Sequence, residues 1–134
     1  MPIPIGGRRD SQRGAATVQL VVATPALLLL VMLVVQMALW QHGTHVVAAA
    51  AAQSVTDAQA ESGSAAAARR SALSFLTRAG RGLVETPRVD VVRTSREARV
   101  VIRATAIELV PGLRLPLVGR ASGPVERFRP PSER

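Results

Sequence analysis

The chain has 134 residues and a net charge of +8, from 17 basic residues, every one an Arg, against 9 acids. That length accommodates one small domain with a modest core, and Arg keeps its charge at any physiological pH. The absence of Cys excludes disulfides, thiolate metal sites and a Cys nucleophile. Aromatic residues are scarce, with only Trp40, Phe75 and Phe128, so Ala, Val and Leu must supply the apolar surface.

Residues 1–14 read as a short basic leader, carrying Arg8, Arg9 and Arg13 against Asp10. Between Arg13 and Asp57 there is no charged residue. Within that gap, Ala15 to Trp40 is apolar except for Thr17, Gln19, Thr24 and Gln36. This stretch of 26 residues exceeds the roughly 20 that a helix needs to span a bilayer. A soluble core helix is rarely apolar on every side for so long, so residues 15–40 are expected to form a transmembrane helix. Pro25 lies inside it and is better tolerated there than in a helix in water. Trp40 falls where the run gives way to Gln41 and His42, and its indole suits the membrane interface with its N–H wet. The basic residues before the segment, with Asp57 and Glu61 the first charges after it, place the N-terminus in the cytoplasm and the C-terminal part outside the cell membrane. A cleaved secretory signal is the competing reading, but its apolar region would be far shorter.

The boundary reads Arg13-Gly14-Ala15-Ala16-Thr17-Val18-Gln19-Leu20-Val21-Val22-Ala23-Thr24-Pro25. It resembles the start of TadE-like proteins, minor pilin-like components of tight-adherence (Flp-type) pilus systems. Those chains have a basic leader, Arg-Gly, a few small residues, Val-Glu, an apolar run and a Pro. The resemblance implies cleavage by a prepilin peptidase after Gly14, with Ala15 as the new N-terminus. Gln19 then stands where the fifth residue of the processed chain is usually Glu, and Pro25 matches the family Pro. Gln19 is neutral, so it cannot pair with an ammonium group of a neighbouring subunit, although it can donate and accept hydrogen bonds. A non-polymerised or accessory role fits this departure better than that of a major pilin. Val110-Pro111-Gly112-Leu113 and Gly123-Pro124-Val125-Glu126-Arg127-Phe128 also resemble the tail of TadE-like chains.

Beyond the membrane segment, residues 41–82 read as an Ala-rich helical region, since Ala is the best helix former. Ser62-Gly63-Ser64 marks a break, and a second helix is expected from Ser64 to Ala79. Ala65, Ala68, Ala72, Phe75, Leu76, Ala79 and Leu83 recur at helical spacing, and Gly80 and Gly82 end the helix. Residues 83–128 read as a small β-rich region. Arg88 to Arg93 alternates after Pro87, Thr94 to Glu97 reads as a turn, and Ala98 to Ile107 alternates again. Val89 and Val91 are expected to share a buried face with Val100, Ile102, Ala104 and Ala106. Pro111-Gly112 and Pro116 mark an irregular connection, and Arg120 to Phe128 offers a third strand that Gly123-Pro124 confines to an edge. Residues 129–134 read as a flexible tail. The expected class is α+β: an N-terminal transmembrane helix extended into an Ala-rich helical region, then a small antiparallel sheet of two or three strands.

No constellation for catalysis stands out. There is no nucleophile elbow, P-loop or dinucleotide fingerprint, so an enzyme and a cofactor are not expected. His42 and His45 share a helix face but lack a third ligand, and no metal site is assigned. Scattered Arg residues without stacking aromatics do not make a nucleic-acid module. The expected partners are the membrane, a prepilin peptidase and other pilus-assembly proteins. A homo- or hetero-oligomer through the N-terminal helix is the further expectation, since the small faces at Ala48 to Ala52 and Ala65 to Ala68 let helices approach closely. The alternatives are a single-pass envelope protein that is never processed and a secreted domain released by a signal cut.

Overall fold

In the computed structural model, which describes residues 8–60 and 62–125 with side chains from Thr17 onward, the apolar run lies inside one long helix, α1 (Arg8–Gln59). A second helix, α2 (Ala65–Ala79), leads to three strands, β1 (Val84–Arg93), β2 (Glu97–Ala106) and β3 (Pro116–Pro124). The strands form an antiparallel sheet in the order β1-β2-β3. The fold is therefore α+β. The chain divides into two units, Met1–Val35 and Gln36–Arg134.

In the first unit every described side chain from Thr17 to Val35 is exposed. The most apolar 18-residue stretch of this helix has a mean hydropathy of 2.7 and none of it is buried, which makes it a candidate single membrane span. Pro25 sits within the helix. It has no N–H to offer the carbonyl four residues back, and beside it Thr24 Oγ1 donates to the Leu20 carbonyl at 2.8 Å.

The second unit is two-layered, with helices on one face of the sheet. From Gln36 onward α1 changes character, because buried positions recur at helical spacing: Gln36, Gly43, Val47, Ala50, Ala51, Ser54, Val55 and Ala58. Val47, Ala50, Ala51, Val55 and Ala58 of this stripe and the α2 residues Ala68, Ala72 and Leu76 share one core with Val89, Val100, Ile102 and Leu117 of the sheet. Small residues set the approach of α1 to β3. A Cβ on Gly119 would lie 2.4 Å from the Val47 carbonyl oxygen, and one on Gly43 would lie 3.0 Å from Leu117 Cδ1. Only hydrogen at Gly119 lets the helix backbone rest on the strand. α2 packs along β1. Its ends are those expected: Ser64 Oγ accepts from the Ala67 N–H at 3.1 Å, and Gly80 N–H reaches the Leu76 carbonyl at 2.8 Å.

The hairpin has the anticipated register. Val89 pairs with Ile102 and Val91 with Val100, and Ala98, Val100, Ile102, Ala104 and Ala106 all face the core. β2 runs Glu97–Ala106, one residue earlier at each end than the sequence reading, and two strand starts differ by more. β1 begins at Val84 rather than after Pro87, because the ladder shifts between Glu85 and Arg88 and absorbs Thr86-Pro87 as a bulge. Thr86 takes φ 46° there, an unusual conformation for a β-branched residue. β3 begins at Pro116, not Arg120, since pairing with β2 runs from Thr105↔Pro116 to Glu97↔Pro124. Pro at the first residue of an edge strand sacrifices no ladder bond, so a residue that reads as loop punctuation in sequence opens a strand instead. The expected continuation through Phe128 and the tail at 129–134 lie outside the described residues.

Gly119→Ala tests the helix–strand contact. The added methyl meets backbone rather than a flexible side chain, so a loss of about 1–3 kcal/mol is expected. It should be read as a lower urea midpoint for the detergent-solubilised chain with an unchanged m-value.

Candidate functional site

The residues singled out from sequence are spread along α1. Gly14 and Ala15 fall within the helix, but their surroundings lie outside the described residues. Gln19 and Pro25 are exposed within the apolar run. His42 and His45 are exposed too, with His45 Nε2 3.2 Å from Gln41 Nε2. The structure does not bring Gly14, Gln19, Pro25 and the His pair together into one site.

What it does bring together is a clamp at the start of the second unit. Gln36 is completely buried. Its Nε2 donates to the Ile107 carbonyl at 2.9 Å, and its Oε1 accepts from the N–H of Leu109 at 2.7 Å and of Val110 at 3.4 Å. One side chain thus closes three backbone groups of the loop that joins β2 to β3. The arrangement needs a donor and an acceptor on one planar group, which an amide supplies and a carboxylate does not. One turn further on, the Trp40 indole N–H donates to the Pro116 carbonyl at 3.1 Å, and Trp40 packs against the core. The wet indole expected from sequence is instead engaged with the start of β3. Together Gln36 and Trp40 hold both ends of the loop against α1.

The loop also braces itself. The Glu108 carboxylate accepts from the Gly112 N–H and from Arg114 Nε, the latter at 3.3 Å. Gly112 has φ 84°, a conformation that glycine adopts without strain. The Gly112 N–H, and then Arg114, hold the Glu108 carboxyl below the usual carboxylate range against the opposing effect of desolvation. At the other end of the unit Arg93 closes α1, donating from Nε to the Ala58 carbonyl at 2.8 Å and from Nη2 to the Ala60 carbonyl at 3.2 Å. A cation at a helix C-terminus is favoured by the helix dipole as well as by these bonds. The outer face of the sheet is polar. Arg103 pairs with Asp90 at 2.9 Å and Arg99 with Glu97 at 3.1 Å, all well exposed, so each pair adds little stability.

Sequence reasoning registered Gln36 only as an interruption of the apolar run and gave it no role. The available signal was a polar amide inside an otherwise apolar helix, a position where a polar group normally has a specific partner. Its partners lie more than seventy residues away and no local pattern names them.

The geometry defines a class: an α+β protein with a candidate membrane span in its first helix and a small unit of helices on a three-stranded antiparallel sheet. The family described as TadE-like protein matches residues 14–56 of the chain. That match begins at Gly14 of the boundary motif, includes Gln36 and Trp40, and ends before α2 and the sheet. No curated protein and no solved structure matches the chain.

Gln36→Leu keeps the bulk but strands the Ile107, Leu109 and Val110 backbone groups, at a cost of about 1–3 kcal/mol for each group left unsatisfied. The expected readout is faster amide exchange at Leu109 and Val110 together with a lower unfolding temperature. The Glu108 brace gives a pH dependence of definite sign. Because the folded carboxyl titrates below its unfolded value, its contribution is present above the unfolded value and is lost as pH falls through the folded one. Exchange of the Gly112 amide should therefore gain protection on going from acid to neutral pH, beyond the intrinsic rate change, and Glu108→Gln should abolish that gain.

Proposed function

We propose that the protein is a membrane-anchored, pilin-like component that acts in assembly of a tight-adherence type pilus or related envelope structure. The observation that carries the reading is the position of the TadE-like match, which starts at Gly14, the residue after which the boundary motif would be cut. The exposed apolar helix from Thr17 to Val35 supports it. In this reading a prepilin peptidase removes the leader after Gly14, and Ala15 becomes the N-terminus. The helix anchors in the cell membrane as a single pass, with the N-terminus cytoplasmic and the sheet-bearing unit outside. The role is assembly through contacts with other pilus proteins, not turnover of a substrate.

Gln19 makes the role accessory. A neutral amide in the membrane forms hydrogen bonds with a neighbouring helix but lacks the charge pairing that a Glu provides in a low-dielectric setting.

Mass spectrometry of the protein from its native membrane should find the mature N-terminus at Ala15. An end at Met1 or Pro2 would leave an unprocessed single-pass anchor, and an end within Ala49 to Ala52 would mean a secreted domain. Gln19→Glu should increase crosslinked oligomers in membranes, and an unchanged ladder would show that this position does not govern association.

A further inference from the structure

We infer that the open edge of β3, residues 118–122, is a docking site for an extended acidic segment of another protein, which adds to the sheet as a further strand beside β3. The site lies wholly within the second unit and does not depend on the role proposed above.

The phase of the ladder shows which backbone groups are open. β3 is an edge strand, in the order β1-β2-β3, and its register with β2 is unbroken from Thr105↔Pro116 to Glu97↔Pro124. Just beyond the two ends, the Ala106 N–H bonds the Leu115 carbonyl at 2.9 Å and the Val125 N–H bonds the Arg96 carbonyl at 3.0 Å. Bonded pairs alternate along an antiparallel ladder. The odd-numbered residues of β3 therefore bond β2, and the even-numbered ones turn N–H and C=O away from the sheet.

This edge is closed at its ends and open between them. Pro116 and Pro124 have no N–H to offer, and the Pro116 carbonyl accepts the Trp40 indole N–H at 3.1 Å. Val118, Arg120 and Ser122 are exposed, and among the described residues their outward backbone groups have no partner. An edge left in that state is a template for strand addition, with main-chain bonds giving affinity and alternate side chains giving specificity.

Charge selects the occupant. The side chains of Val118, Arg120 and Ser122 stand on the outer face of the sheet, across from Arg103, Val101 and Arg99 of β2. A shallow cavity of about 390 Å³ lies there, lined in part by Arg99, Arg103, Arg120 and Ser122. That face carries Arg88, Arg99, Arg103 and Arg120 against Asp90 and Glu97, four cations to two acids. Arg99 and Arg103 pair with those acids, whereas Arg120 makes no ion pair among the described residues. In an added strand, residues two apart share this face, so carboxylates at alternate positions meet Arg120 directly and its neighbours diagonally. A second copy of this chain does not supply such a segment, because no two of its acids stand two residues apart.

The test uses the full chain in dodecyl maltoside at low ionic strength, where charge attraction is least screened. Two fluorescently labelled, acetylated peptides serve as probes: Thr-Glu-Val-Glu-Val-Glu-Thr, with alternating acids, and Thr-Val-Glu-Glu-Glu-Val-Thr, of the same composition. The alternating peptide is expected to bind, and the other to bind about tenfold more weakly. On saturation, amide exchange should slow at Val118, Arg120 and Ser122 but not at Val101 of the central strand. Arg120→Glu removes the unpaired cation, and Ser122→Pro removes an outward donor without costing a bond to β2. Each should weaken binding about tenfold. Equal binding of the two peptides, or binding that Ser122→Pro leaves unchanged, overturns strand addition and leaves only diffuse attraction to the Arg face. Absence of binding overturns the site altogether. The exchange is read on the unmodified chain, so unchanged exchange at the three edge amides overturns the inference even where a variant fails to fold.

Discussion

The buried amide of Gln36 joins two things that the chain must reconcile. It follows an exposed apolar helical run, and it is the first residue of a unit with its own buried core. A buried polar group without partners costs more than most single contacts contribute. Gln36 meets that constraint by closing three backbone groups of one loop, and so fixes where β2 ends, how the chain crosses to β3, and which face of α1 looks inward. The Trp40–Pro116 bond repeats the device one turn later, with an aromatic ring that also fills part of the core.

Beyond that junction, the packing follows from a composition poor in aromatics. With Ala at positions 50, 51, 58, 68, 72, 98, 104 and 106 of the core, the interior cannot gain area from large rings. It compensates by close approach. Gly119 brings β3 against the backbone of α1 at Val47, Gly43 makes room for the Leu117 side chain, and short side chains lose little rotamer freedom when buried. Arg93 then secures the far end of α1 by capping its last carbonyls from β1. Helix and sheet are thus tied at both ends by polar bonds and along their length by small-residue contact.

Much of this was legible in the sequence because it rests on local periodicity. The apolar run, the break at Ser62-Gly63-Ser64, the caps of α2 and the alternating faces of β1 and β2 are each encoded within a few residues of where they occur. The boundary motif at Gly14 was legible for the same reason, as a short contiguous string that the TadE-like match then covers. The bulge at Thr86-Pro87 and the start of β3 at Pro116 were not, because a Pro signals a missing N–H without saying whether that N–H was needed. Nor could the sequence assign Gln36 or the indole of Trp40, whose partners are over seventy residues distant. Sequence determined which segments are helical, which alternate and which avoid water. Tertiary structure decided which polar atoms meet across the β2–β3 loop, because the satisfaction of a buried hydrogen bond depends on where distant backbone arrives and not on its neighbours in the chain.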